Sequence, residues 1–172
     1  LCGTMSVGKT TLVNALKELD QFKGYKFATE RSQHLMSLGI PLNTDSTLKG
    51  QTVFLAERCG ELMHDNIITD RTILDVMAFT MNAKSIPYQD KEAFETYASE
   101  FIREYDYIFY ISPHGLEIED NGVRETDEHY RDLIDFTITT LIKRHGHKAG
   151  AIEKISGSTE ERIQQILNVT KL

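Results

Sequence analysis

Apolar positions along the chain recur with two alternating periods, and the alternation predicts the elements. Between Thr10 and Leu19, the residues Leu12, Val13, Ala15, Leu16 and Leu19 share one side of a helix. Tyr25–Thr29 reads as a short strand, followed by a helix over Glu30–Leu38 that Gly39 and Pro41 stop. Asp45 is placed to cap a long helix to about His64, carrying Leu48, Val53, Leu55, Ala56 and Leu62. Asn66–Thr69 predicts a second strand, and Thr72-Ile73-Leu74-Asp75 has the form of a capping box opening a helix through Met81. A helix over Lys91–Glu104 and an unbroken apolar strand over Tyr107–Ile111 come next. Ser112–Arg124 reads as a loop, Asp127–Arg144 as a helix and Ala149–Ile155 as a last strand. Ser158-Thr159-Glu160-Glu161 is a second capping box, for a helix to about Val169.

Strands alternating with helices predict an α/β fold, a parallel sheet covered by helices on both faces. Five strands are expected, the first of them just before Gly3, where only Leu1 and Cys2 stand. That shortness predicts a first strand truncated at its amino end. No repeat or Pro/Gly/Ser-rich linker interrupts the 172 residues, which read as one domain. Sheets of this kind bind ligands beyond the carboxyl ends of their strands, so chemistry is expected there.

Composition narrows the class. Hydrophobic residues at 40% and charged residues at 26% exclude a disordered chain, a collagen and a disulfide scaffold. Two cysteines, Cys2 and Cys59, predict reduced thiols and a cytoplasmic protein. No apolar run approaches the roughly 18 residues that span a bilayer, so no membrane role is expected. A net charge of −7 argues against non-specific binding to nucleic acid.

Gly3-Thr4-Met5-Ser6-Val7-Gly8-Lys9-Thr10 fits the phosphate loop, or Walker A, pattern G-x-x-x-x-G-K-[ST], with a helix following at once. Its glycines let backbone N–H groups turn onto phosphate oxygens, and the helix N-terminus adds its positive end. Gly3, Ser6, Val7, Gly8, Lys9, Thr10 and Thr11 are the expected nucleotide-binding residues. Lys9 reaches the β- and γ-phosphates and the Thr10 hydroxyl takes Mg²⁺. This predicts a nucleoside triphosphate ligand.

Hydrolases, switches and kinases share that loop. The second predicted strand ends in Thr29-Glu30-Arg31 and the third in Asp70-Arg71, which puts a carboxylate and an arginine at each strand end. Phosphoryl transfer needs such parts: a carboxylate for the acceptor's proton, cations for phosphate charge, and a metal ion. A GTPase would carry Asn-Lys-x-Asp after the fourth strand, where Ile111-Ser112-Pro113-His114 stands instead. His145 and His147 lie at a helix exit and read as surface residues. Cys59 reads as core, and Phe109, Tyr110 and Ile111 as buried strand.

Thr52-Val53-Phe54-Leu55-Ala56-Glu57-Arg58, followed by Ile67-Ile68-Thr69-Asp70-Arg71, resembles the phosphate-loop nucleoside and nucleotide kinases, in the pattern of thymidylate kinase. The whole layout is more similar to the ATPase/kinase group that includes the ribosylnicotinamide kinase domain. It shares Asp-Arg-x-x-x-Asp, an Asp-Gly-x-Arg-like lid and a terminal Gly-Ser-x-x-Glu-Arg. Thr29-Glu30-Arg31 departs from the Arg-Glu-Pro or Asp-Glu-Pro of thymidylate kinases, which weighs against thymidylate as acceptor.

The resemblance implies a kinase with ATP and Mg²⁺ as cofactors and Lys9, Glu30, Asp70 and Arg124 as catalytic residues. Thr10 and Asp70 would serve the metal, and Glu30, Arg31, Arg58 and Arg71 the acceptor. It further implies a lid over about 113–128 that brings Arg124 onto the transferring group. Gly157 and Ser158, between the last strand and helix, would wrap the base; a plain turn fits them equally. Whether Glu30 or Asp70 orients the acceptor stays open at this point. The partner expected is a small nucleoside or nucleotide, and a homodimer is allowed. A polynucleotide 5′-hydroxyl kinase and a regulatory ATPase are the alternatives.

Overall fold

The computed structural model describes residues 1–29, 32–116 and 127–172. Helices α1 (Lys9–Lys17), α2 (Ser32–Ser37), α3 (Leu48–Glu61), α4 (Ile73–Asn82), α5 (Tyr88–Ala98), α6 (Glu128–His145) and α7 (Thr159–Thr170) alternate with strands. The strands are β1 (Lys26–Ala28), β2 (Ile67–Thr69), β3 (Tyr107–Ile111) and β4 (Ala151–Ile155).

Among the described residues the strands form two parallel pairs, β1 with β2 and β3 with β4, rather than one five-stranded sheet. The physical reason lies between the pairs. Cys2 donates to Phe109 O and accepts from Ile111 N, both at 2.9 Å, which makes a single parallel bridge to β3. On its other side the Leu1 nitrogen donates to Thr69 O at 2.7 Å, and Arg71 N donates to Leu1 O at 3.1 Å. Two residues are too few for a strand, yet their backbone joins both pairs and leads directly into Gly3.

Two apolar clusters fill the layers. One gathers Ile73, Leu74 and Met77 of α4 with Ile134, Ile138 and Leu141 of α6. The other gathers Leu12, Val13 and Leu16 of α1 with Phe109, Ile111, Ile155 and Ile166. Burial of this kind contributes about 1.5–3 kcal/mol per large aliphatic side chain before entropy is counted.

Several boundaries differ from the sequence expectation. Thr47, not Asp45, caps α3: its hydroxyl accepts from Gly50 N at 3.1 Å, while Asp45 ends a 3-10 turn over Asn43–Asp45. The helix expected over Lys91–Glu104 is α5 followed by a 3-10 segment, Ser99–Glu104. Asp127 caps α6 by accepting from His129 N at 2.9 Å. Glu30, Arg31, Arg124 and most of the expected lid lie outside the described residues. Among the described residues no helix is long and apolar enough to cross a membrane.

Candidate active site

The phosphate loop leaves the carboxyl end of the Leu1-Cys2 bridge and enters α1 at Lys9. Its first glycine is demanded by space as well as by conformation. Gly3 has φ 151°, and a Cβ there would lie 2.6 Å from Ile111 O, inside any permitted contact. Ser6 and Gly8 also adopt positive φ, 57° and 81°. Turns of this kind bring successive N–H groups to one concave side, the geometry that receives anions.

The loop is held from outside by long-range bonds. Gly3 N donates to Asp75 Oδ1 at 3.1 Å, and Asp75 is fully buried. The other oxygen of that carboxylate accepts from Thr72 N and Thr72 Oγ1, both at 2.8 Å. One side chain therefore opens α4 and fixes the start of the phosphate loop. On the opposite flank Arg162 Nη1 of α7 donates to Val7 O at 2.8 Å.

Lys9 is 6% exposed and donates from Nζ to Gly3 O at 2.6 Å and Thr4 O at 2.7 Å. An ammonium has three donors, so one remains for a phosphate oxygen at the loop's mouth. Burial lowers the Lys9 pKa from its usual value, and the nearby Arg71 lowers it further, while Asp75 and Asp70 pull the other way.

Thr10 Oγ1 donates to Asp70 Oδ2. Asp70 is 1% exposed, and its Oδ1 is buried with no hydrogen-bond partner among the described residues. Two hard oxygen donors, one of them orphaned, suit Mg²⁺, which takes one or two protein oxygens and completes its shell with phosphate and water. Among the described residues there is no cluster of three or more His, Cys, Asp or Glu, so a dedicated all-protein metal cage is not built here.

Arg71, two residues past the end of β2, has φ 94°, a strained conformation for a side chain of this size. Its guanidinium lies over the Phe79 ring, 5.1 Å from the centroid. Arg71 and Phe79 line a small cavity together with Asn43, Gln51 and Phe54. Gln51 is 4% exposed. A larger groove of about 830 Å³ lies between β2 and β3, with His64, Ile67 and Tyr107 among its walls. None of Gly3–Thr10, Asp70 or Arg71 is among its walls.

Expectation and structure meet unevenly. Lys9, Thr10, Asp70 and Arg71 lie close together. Arg58 is buried beside them, but its Nη2 pairs with Glu61 Oε1 at 2.6 Å and its Nη1 donates to Asp70 O at 3.2 Å. It braces the Asp70 strand end, and it does not line the Arg71 cavity. Ser158 accepts from Glu161 N at 3.2 Å and donates its own N–H to Glu161 Oε2 at 2.7 Å, a capping box that opens α7. Gly157, at φ 93°, makes the turn before it.

Asp75 and Arg162 close the Asp-Arg-x-x-x-Asp and Gly-Ser-x-x-Glu-Arg motifs but were given no site role, and Gln51 lies in none of the motifs; all three stand beside the loop or the Arg71 cavity. The signal for Arg162 was a cation on the apolar stripe of its helix, four positions before the buried Ile166.

The AAA domain family matches residues 1–162 of the chain. None of the curated proteins compared matches it. Two solved structures of deoxyadenosine kinase from M. mycoides share the fold. One, with the products dCMP and a flexible dCDP bound, is 19% identical with TM-score 0.66, over 98% of this chain and 95% of that one. The other, with dCTP bound, is also 19% identical with TM-score 0.66, over 99% of this chain and 96% of that one. The α/β fold is that of a phosphate-loop kinase.

Proposed function

We infer that this chain, which belongs to the AAA domain family, is an ATP- and Mg²⁺-dependent phosphotransferase whose acceptor is a nucleoside. The observation that carries this reading is the contact of Thr10 with Asp70, which brings the complete phosphate loop against the strand end where Arg71 and the Gln51 cavity begin. The fold likeness to deoxyadenosine kinase over nearly the whole chain supports it. A monophosphate acceptor would require a further cation clamp, and Arg58 is already engaged with Glu61 and the Asp70 carbonyl.

In this reading the loop N–H groups and Lys9 hold the triphosphate in line with the acceptor. Lys9 meets the charge that develops on the β- and γ-oxygens, in a buried setting where one cation acts strongly. Thr10 and Asp70 are the residues that would hold Mg²⁺, which, when bound, supplies further neutralisation of phosphate charge. Asp70 is thus occupied on the metal side, which assigns Glu30 to the acceptor's hydroxyl proton. Arg71, fixed by the Phe79 ring, faces the acceptor cavity. Arg124 of the lid closes on the transferring group and excludes water. Gly157 and Ser158 bound the base side of the nucleotide.

The test is a transfer assay with γ-labelled ATP against nucleosides, nucleoside monophosphates and 5′-hydroxyl oligonucleotides. Labelled nucleoside monophosphate is the expected product. Label appearing only as inorganic phosphate, unaffected by any acceptor, would establish a regulatory ATPase and overturn the reading. Label on oligonucleotides alone would move the acceptor to nucleic acid ends.

A further inference from the structure

Arg162 projects from the first turn of α7 and is 7% exposed, turned onto the outer flank of the phosphate loop. Its Nη1 donates to Val7 O at 2.8 Å and lies so near Gly8 that a Cβ there would come within 3.2 Å of it. Its Nε is buried without a hydrogen-bond partner, and among the described residues no carboxylate pairs with it. A buried guanidinium lacking a carboxylate is a poor source of stability. The packing of α7 on α1 is already provided by Ile163, Ile166 and Leu167 in the cluster around Leu12, Val13 and Leu16.

The peptide unit it touches explains the placement. A trans peptide is planar, with its C=O and N–H pointing in opposite directions. The carbonyl of Val7 and the N–H of Gly8 belong to one such plane. Drawing the carbonyl toward α7 turns the Gly8 N–H away from α7, toward the concave side of the loop. We propose that Arg162 is a positioning residue for nucleotide binding, locking the Val7–Gly8 peptide with its N–H toward the phosphates and backing it with a buried positive charge. The proposal rests on the triphosphate-binding reading above and goes beyond it by assigning the loop's geometry to the carboxyl-terminal helix.

The experiment uses the ¹⁵N-labelled full chain, follows the Gly8 amide resonance, and titrates ATP and inorganic tripolyphosphate by calorimetry. Arg162→Met keeps the apolar stem and removes donor and charge. It is expected to move the Gly8 resonance in the free chain, abolish that resonance's response to tripolyphosphate, and weaken both ligands about tenfold or more. Arg162→Lys, which restores a charged donor, should recover affinity to within about threefold of wild type. A merely structural role predicts a lower Tm with the Gly8 resonance and both Kd values unmoved, and that result overturns the proposal. If Arg162→Met does not fold, Arg162→Gln is read by the same two signals, with the same result required. Wild-type protein that binds neither ligand overturns the phosphate-loop reading and this proposal together; wild-type binding that Arg162→Met leaves intact overturns this proposal alone.

Discussion

Between Gly3 and Thr10 the backbone itself faces the site, and buried side chains from distant segments hold it there: Asp75 at one end, Arg162 at the other. Across Asp70 the cavity beside Arg71 is lined by side chains, Asn43, Gln51, Phe54 and Phe79 among them. The two halves therefore respond differently to change. N–H groups are the same whatever residue bears them, so recognition of phosphate tolerates varied loop side chains while the clamps stay. On the proposed reading the cavity is the acceptor half, with its chemistry in side chains, and is where specificity can be altered one residue at a time.

The largest expected effect belongs to Lys9, whose side chain meets the charge that develops on the phosphates. Lys9→Ala should lower kcat for phosphoryl transfer at least about 10³-fold, a loss of several kcal/mol of transition-state stabilisation, with the far-UV circular dichroism spectrum unchanged. Turnover near the wild-type rate would erase the distinction between Lys9 and the backbone donors around it. A smaller and more selective effect is expected in the other half. Gln51→Leu removes the buried amide while keeping the volume, and should raise acceptor KM by about 10-fold to 100-fold with the KM for ATP within about twofold. Equal changes in both constants would mean that the halves are one unit.

The smallest effect calibrates the comparison from outside both halves. Glu95 of α5 accepts from Arg144 Nη1 at 2.5 Å and pairs with His145 Nε2 at 2.8 Å, tying α5 to the end of α6. Burial alone would raise its pKa, but the bonds from His145 and Arg144 prevail and hold it below the usual value. A carboxylate depressed in the folded state contributes stability above its unfolded pKa and loses that contribution as pH falls through the folded value. Glu95→Gln should therefore cost about 1 kcal/mol at pH 7 in denaturant unfolding, with the two proteins converging as pH falls through the depressed folded value. Phosphoryl transfer should not change. A gap that persists once the carboxylate is protonated would show that packing, not charge, joins the two helices.

Legibility in the sequence follows the same division. The phosphate loop could be read because all its parts are consecutive, from Gly3 to Thr10. Asp70 and Arg71 could be read because strand ends are where such folds place ligands. Tyr107–Ile111 matched β3 residue for residue, since an unbroken apolar run bounded by polar residues has few other fates. Arg58 was given to the acceptor by the resemblance, which could not show that Glu61, three residues on, would take its guanidinium. Thr47 and Asp45 are both able to cap a helix, and the 3-10 turn through Asp45 decided between them. The two parallel pairs are joined through the backbone of Leu1 and Cys2, the position at which the pattern expected a truncated strand. Asp75 announced its helix cap but gave no sign that its second oxygen would reach Gly3.

The bond between Arg162 and Val7 joins positions 155 apart in the chain. Contacts of such separation form late, after most of the loop-closure entropy has been lost. A chain in which α7 has yet to dock would thus carry the complete phosphate-loop motif without the geometry that gives it affinity. Nucleotide would bind the finished molecule and not its precursors, so ATP should slow the escape from the native state while leaving the rate of reaching it nearly untouched. For a newly made chain, competence to bind the triphosphate would then mark the moment when α7 has found its place.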